Sequence, residues 1–313
     1  MSSQPCSLLR ALAAAPCALL LHLGTLPVAY AEDEPAASAV QRKGSGFPDL
    51  ESKDIFGSFT RGASVGEEGE RAIEPDTAAN LGRRAGLYTA TETELELEYT
   101  PTKFLQIEIG PTISYYNIRG VPGLEDRSNA GGINGINGTI RSLLIEHGQS
   151  PFAVTLSVEP MWHSLSETSG AAVSTYGLET KIEADAELIK NRLFYAFNAL
   201  YAPETTIAEG AASTWHPEGT LGLSSALAFQ VVPNVVIGAD LRYLRHYESL
   251  ATGAFTGDAV YLGPTFFWKV SPKILISASW EAQVAGRESA GSSSLDLTDF
   301  SRQRARLLVE FDF

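Results

Sequence analysis

Only two cysteines occur in the 313 residues, Cys6 and Cys17, and both fall within the first 31. A chain processed after that point has no thiol, no disulfide and no cysteine metal site. Long apolar runs are missing too. After residue 31 no stretch of 18 apolar residues occurs, which excludes a membrane-spanning helix. Basic residues are scarce, with 23 Lys and Arg against 37 acids and a net charge of −14. That balance excludes a nucleic-acid partner, because a phosphate-binding surface is basic. The five histidines, His22, His147, His163, His216 and His246, show no short metal-ligand spacing. No Asp-x-Asp-x-Asp-Gly run is present, and the nearby pair Asp296 and Asp299 reads as a solvated loop. The expectation is a protein without metal or cofactor.

The first 31 residues read as a leader. Arg10 is its one charge, an apolar run extends from Ala11 to Val28, and Ala29-Tyr30-Ala31 stands before Glu32-Asp33-Glu34. This is the pattern of a secretory signal peptide, residues 1–31. An uncleaved anchor is the alternative; a lipid anchor on Cys17 fits poorly, since Pro16 precedes it. Residues 32–69 read as a periplasmic lead. Its part up to about 53 is rich in Ala, Ser, Gly and charge, and 54–69 form a Gly-rich extended segment that either precedes the next domain or sits in its mouth.

From about residue 70 to 313 side chains alternate with a period of two. Leu95, Leu97 and Tyr99 oppose Glu94, Glu96 and Glu98; Leu105, Ile107, Ile109 and Ile113 oppose Gln106, Glu108, Thr112 and Ser114. The pattern recurs in 152–163, 176–188, 274–284 and 305–313. Period two excludes helices there. Short turns at 101–103, 148–151, 189–191, 232–234 and 271–273 alternate with longer loops at 119–132, 166–174, 203–214, 248–257 and 287–298. Runs of about 9–11 residues or more suit a tilted membrane strand. Short turns on one side and long loops on the other mark an outer-membrane barrel, where a soluble sandwich is the competing reading.

The predicted fold is therefore all-β: a transmembrane antiparallel up-and-down β-barrel of about 12 strands, at 70–82, 86–100, 104–118, 133–147, 152–165, 175–188, 192–202, 215–231, 235–247, 258–270, 274–286 and 299–313. Pro75, Pro111, Pro160 and Pro264 fall inside these strands, and each predicts a bulge or a local break in the ladder.

The ending Leu307-Leu308-Val309-Glu310-Phe311-Asp312-Phe313 resembles the C-terminal signature of bacterial outer-membrane proteins. The resemblance implies outer-membrane localisation and recognition by the barrel-assembly machinery through Phe311 and Phe313. More broadly, residues 54–313 resemble uncharacterised proteobacterial porin-like and transporter-like barrels. The matching stretches are Phe59-Thr60-Arg61-Gly62, Gly66-Glu67-Glu68-Gly69, 121–127, Leu156-Ser157-Val158-Glu159-Pro160 and Asn191-Arg192-Leu193-Phe194. Near them stands the outer-membrane group linked to aromatic-degradation pathways.

The constellation that bears on function is the inward face. Glu94, Glu96, Glu98, Glu108, Glu159, Glu179, Glu183, Asp185, Glu187 and Glu281 point inward, against the fewer bases Arg141, Lys181, Arg242 and Arg306. Rings of like charge set pore selectivity. The leading reading is a channel in outer-membrane lipid, passing small polar or aromatic solutes by passive diffusion through an acidic lumen. A plugged or structural barrel is the alternative, and a lipid-active enzyme a further one. For an enzyme the only candidate is His163 beside Ser164 and Ser166, and alternation points that His away from those Ser. Gly131–Gly138 does not precede a helix, so it reads as a loop feeding a strand rather than a phosphate loop. Asn137-Gly138-Thr139 has glycosylation spacing that bacterial export makes irrelevant.

Overall fold

A computed structural model describes residue 47 and residues 50–208, 214–289, 291 and 293–313. The expected signal peptide and most of the lead lie outside the described residues. A four-residue helix, α1 (Ser52–Ile55), precedes twelve strands. These are β1 (Arg71–Leu81), β2 (Leu87–Thr102), β3 (Leu105–Arg119), β4 (Arg127–Ile145), β5 (Phe152–Leu165), β6 (Ala172–Ile189), β7 (Leu193–Ala208), β8 (Trp215–Val232), β9 (Val235–Tyr247), β10 (Phe255–Ser271), β11 (Ile274–Glu288) and β12 (Gln303–Asp312). Each pairs antiparallel with its sequence neighbours, and β1 pairs with β12 to close the ring. The seam runs from Ala72 opposite Asp312 to Leu81 opposite Gln303.

The strands form because alternate side chains meet two different media. On β3, Ile109 and Ile113 are 49 and 50 % exposed on the outside, while Gln106 and Thr112 are 0 % exposed on the inside. A water-soluble sheet would reverse that order. An outward band of exposed Leu, Ile, Phe, Tyr and Trp surrounding a polar interior is the surface of a protein embedded in hydrocarbon. Leu307, Phe311 and Phe313 carry the band across β12. The molecule is an outer-membrane β-barrel.

The five short connections and the chain end after β12 lie at the same end as the start of β1, the periplasmic end by the usual asymmetry. The opposite end carries the connections 82–86, 120–126, 166–171, 248–254 and 289–302.

Several boundaries move. The ladder reaches further outward than periodicity predicts, because Arg127–Gly132 and Pro203–Ala208 pair as strand rather than loop. Gly131–Gly138 is therefore not a loop feeding a strand; it is part of β4. Small residues there let β4 pass close to its neighbours: a Cβ at Gly131 would fall 2.4 Å from the Ser114 carbonyl oxygen. β12 starts at Gln303 rather than 299, since 299–302 lie outside the ladder. Each proline leaves a two-residue gap in one adjoining ladder without shifting the register. Pro75 breaks the pairing with β12 and keeps its place opposite Leu95 on β2. Pro111 breaks the ladder toward β2, Pro160 toward β4 and Pro264 toward β11. A missing N–H is tolerated where only one neighbour needs it.

Candidate functional site

Residues 50–66 lie inside the ring, rising from the periplasmic end to Phe59 and turning back so that Gly62 and Ser64 stand against Ser52. At the entrance Leu50, Ile55 and Phe56 pack on Phe194, Ala196, Ala226, Ala228, Val236, Phe267, Leu275 and Leu308, an apolar patch on the inner wall. Burying Ile55 and Phe56 there is worth about 1.5–3 kcal/mol each. Ser52 Oγ and the Ala63 N–H both donate to Asp185 on β6. Gly62 must be glycine: its Cβ would fall 2.2 Å from the Ser52 carbonyl oxygen.

Further in, the segment is held by charge and by backbone hydrogen bonds. Arg61 makes a two-pronged pair with Glu108, Nη1 to Oε2 at 3.2 Å and Nη2 to Oε1 at 3.0 Å. The Arg61 N–H donates to Asn198 Oδ1 at 2.7 Å, and Asn198 Nδ2 donates back to the Arg61 carbonyl at 2.8 Å. Asp240 accepts from the Thr60 N–H at 3.0 Å, Thr60 Oγ1 at 2.8 Å and Ser58 Oγ at 3.2 Å. Lys53 Nζ lies 3.4 Å from both Glu98 and Glu310 and bonds Glu70 more closely. Arg141 Nη2 donates to the Gly62 carbonyl at 2.6 Å, and the Gly66 N–H donates to Gln106 Oε1 at 3.0 Å. Phe59 tops the segment between two guanidinium groups, 5.1 Å from Arg242 and 4.8 Å from Arg304.

Of the acids named from sequence, Glu187 is exposed and accepts from the Asn191 N–H in the short turn after β6; the others lie on the inner face, and most are matched. Glu98 and Glu108 meet Lys53 and Arg61 of the segment. Glu183 pairs with Arg141 at 2.8 Å; Glu179 pairs with Lys181 and stands opposite Glu159 in register. Asp185 also meets His147. Glu281 lies 3.7 Å from Arg242 and 4.0 Å from Arg304. Arg306 grips Asp76 through Nε at 2.9 and 3.0 Å and donates to the Ser58 carbonyl. Glu94 accepts from Asn137 Nδ2 at 3.0 Å, and Glu96 is buried beside them. Phe311 and Phe313, by contrast, face lipid.

Beyond Phe59 the lumen widens into a cavity of about 640 Å³ open at the long-loop end. His163, Glu167, Glu204, Glu218, His246 and Tyr261 are among its lining residues. Two smaller cavities, of about 20 and 70 Å³, adjoin the segment below. Part of the 289–302 loop turns inward over the cavity, with Phe300 and Ser301 on its wall. Asp296 in that loop takes the N–H groups of Thr298 and Asp299 at 3.0 Å each, and burial pushes its carboxyl up to about 6. Of the hydrolase candidate, His163 is buried toward the lumen and Ser164 Oγ donates to the Asn134 carbonyl at 2.8 Å, while Ser166 lines the outward cavity with His163, against the expectation from alternation.

Sequence reasoning missed Lys53, Phe59, Arg61, Asn198 and Asp240 as lumen groups. The one available signal was the Phe59-Thr60-Arg61-Gly62 stretch, in which a buried-type aromatic, a base and a glycine stand together in an otherwise polar lead.

A family model described as "Family of unknown function (DUF6662)" matches residues 50–313. The match begins where the inner segment begins, so segment and barrel form one unit. Among curated proteins the chain has no match. Among solved structures it is similar to an outer-membrane channel of the COG4313 group from Pseudomonas putida F1, at 11% identity and a TM-score of 0.56, covering 80% of this chain and 98% of that one. It is also similar to the translocator domain of the autotransporter NalP from Neisseria meningitidis, at 14% identity and a TM-score of 0.49, covering 80% and 91%. The NanC porin gives 9% identity and a TM-score of 0.45, covering 78% and 100%. At these identities the likeness is one of fold.

Proposed function

We propose, for a chain that belongs to the family of unknown function DUF6662, an outer-membrane channel for small polar or aromatic solutes, closed at rest by residues 50–66. The observation that carries this reading is the division of the lumen. A cavity of about 640 Å³ opens outward and reaches down to Arg242 and Arg304, the two guanidinium groups over Phe59, below which the segment occupies the passage. A cavity of that size holds a small solute. The channel named in the similar Pseudomonas structure agrees with the reading. Solutes cross by passive diffusion when the segment leaves its seat.

Opening changes the charge of the passage. Lys53 and Arg61 depart with the segment, so Glu98, Glu108 and Glu310 lose these cations and meet water instead. An acidic lumen with cation preference is then a property of the open state. Phe311 and Phe313 at the lipid face fit recognition by the barrel-assembly machinery. A second reading, a permanently plugged structural barrel, draws support from the apolar seat of Ile55 and Phe56.

Planar-bilayer recording separates the two. The channel reading expects rare openings of the full chain and steady cation-preferring current from a variant lacking residues 50–66. Anion preference in that variant would defeat the acidic-lumen argument. A full chain that never opens, under voltage or solute gradient, would leave the structural reading.

A further inference from the structure

We propose that Glu92, His163 and Glu167 form a binding site for a divalent transition-metal ion in the wall of the outward cavity. His163 stands near the outward end of β5, and Glu167 follows it in the connection to β6. Glu92 comes from β2, opposite Ser114 of β3; His163 lies opposite Gly135 of β4. One ligand atom from each of the three lies within 4.8 Å of the other two.

The surrounding hydrogen bonds decide which atoms are free to bind. Asn137 Nδ2 donates to Glu94 Oε2 at 3.0 Å, so Asn137 turns its Oδ1, an acceptor, toward His163 Nε2, also at 3.0 Å. His163 Nε2 must then carry the hydrogen, and in the neutral ring Nδ1 keeps its lone pair. Nδ1 has no hydrogen-bond partner among the described residues, although the His163 side chain is 2 % exposed and faces Glu167 Oε1 at 3.4 Å. A positive charge between them, a proton on Nδ1 or a metal ion that displaces it, satisfies both atoms. Ligands bound to one tetrahedral or octahedral metal at about 2.0–2.2 Å stand about 3.0–3.4 Å apart.

The third ligand is aimed in the same way. Ser114 Oγ and Asn134 Nδ2 each donate to Glu92 Oε2 at 3.0 Å, which leaves Oε1 uncommitted. Among the described residues neither Glu92 nor Glu167 forms an ion pair with Lys or Arg. Glycine at 135 lets β4 pass close to this wall: a Cβ there would fall 1.8 Å from the Trp162 carbonyl oxygen and 2.9 Å from His163 Cδ2. Outer hydrogen bonds that fix the tautomer and rotation of a ligand are the usual support of a metal site. One imidazole with two carboxylates suits zinc, manganese, cobalt or nickel; calcium and magnesium take oxygen alone. The sequence hid this set because its members lie on β2, β5 and a loop.

The site lies on the outward side of Phe59 and exists with the segment seated, so binding does not depend on conduction. Titration of the refolded full chain with Co²⁺, followed by visible absorption and calorimetry, tests it. One Co²⁺ per barrel is expected, with affinity falling by about tenfold or more in His163→Gln and in Glu167→Gln. Glu167→Gln lies outside the ladder, so it remains informative if His163→Gln misfolds. The pair His246 and Glu218, 3.5 Å apart in the same cavity, is the control; His246→Gln should bind as the native chain does. Absence of saturable Co²⁺ binding, survival of binding in Glu167→Gln, or its loss in His246→Gln would each overturn the assignment.

Discussion

The two halves of the lumen are built from the same strands and hold opposite contents. In the periplasmic half, acids meet bases, polar backbone is bonded, and the adjoining voids measure about 20 and 70 Å³. In the outward half a cavity of about 640 Å³ remains, with histidines and carboxylates on its wall. The difference comes from one short stretch of chain. Residues 50–66 bring Lys53 and Arg61 to acids that would otherwise stand unpaired, and an unpaired buried charge is costly. Above the segment's highest point, at Phe59, the wall is left to water and to ligands. An inward-facing charge therefore has no fixed meaning. It is a docking group in one half and a candidate ligand in the other.

Four changes test that contrast. Deleting residues 50–66 should erase it, turning rare openings into a standing current at least about tenfold larger in planar bilayers, because every contact that fills the lower half is removed. Arg61→Ala should come next. Glu108, 2 % exposed, would be stranded in the closed state but hydrated in the open one. Closure should weaken by about 3–5 kcal/mol, read as a rise in open probability. Asp240→Asn should weaken closure by about 1–3 kcal/mol, since the amide replaces a carboxylate that takes three donors from Ser58 and Thr60; unchanged gating would show that those bonds do not hold the seat. Glu125→Ala should do nothing measurable. Glu125 is 88 % exposed and 3.6 Å from Arg127 in an outward loop, and such pairs are worth about 0–1 kcal/mol. A gating change there would mean that the loops, not the segment, control the passage.

The barrel was legible in the sequence because period two is local. Leu95, Leu97 and Tyr99 against Glu94, Glu96 and Glu98 needs no knowledge of partners, and turns such as Val232-Pro233-Asn234 mark strand ends by their own chemistry. Strand lengths were less legible at the outward ends. Arg127–Gly132 and Pro203–Ala208 look like loop by composition, yet they pair because neighbouring strands already extend alongside them. The inward direction of Glu108 or Asp185 could be read, but what each meets could not. Arg61 and Glu108 touch only after the ring has formed around them, and nothing in their spacing announces it. The trio Glu92, His163 and Glu167 was hidden for the same reason, and its best local trace, Gly135, looked like part of a flexible loop.

The seating of the inner segment also dates its own arrival. Its contacts include Glu98 on β2, Glu108 on β3, Arg141 on β4, Asp185 on β6, Asn198 on β7, Asp240 on β9 and Arg306 on β12. The segment is made before all of these strands, yet it cannot complete its bonds until the last has joined the first. The earliest-synthesised stretch of this unit is thus among the last to settle. A pulse-labelled chain should show Lys53 and Phe56 protected only after the β1–β12 seam has zipped, so protection of those two side chains would serve as a clock for barrel closure.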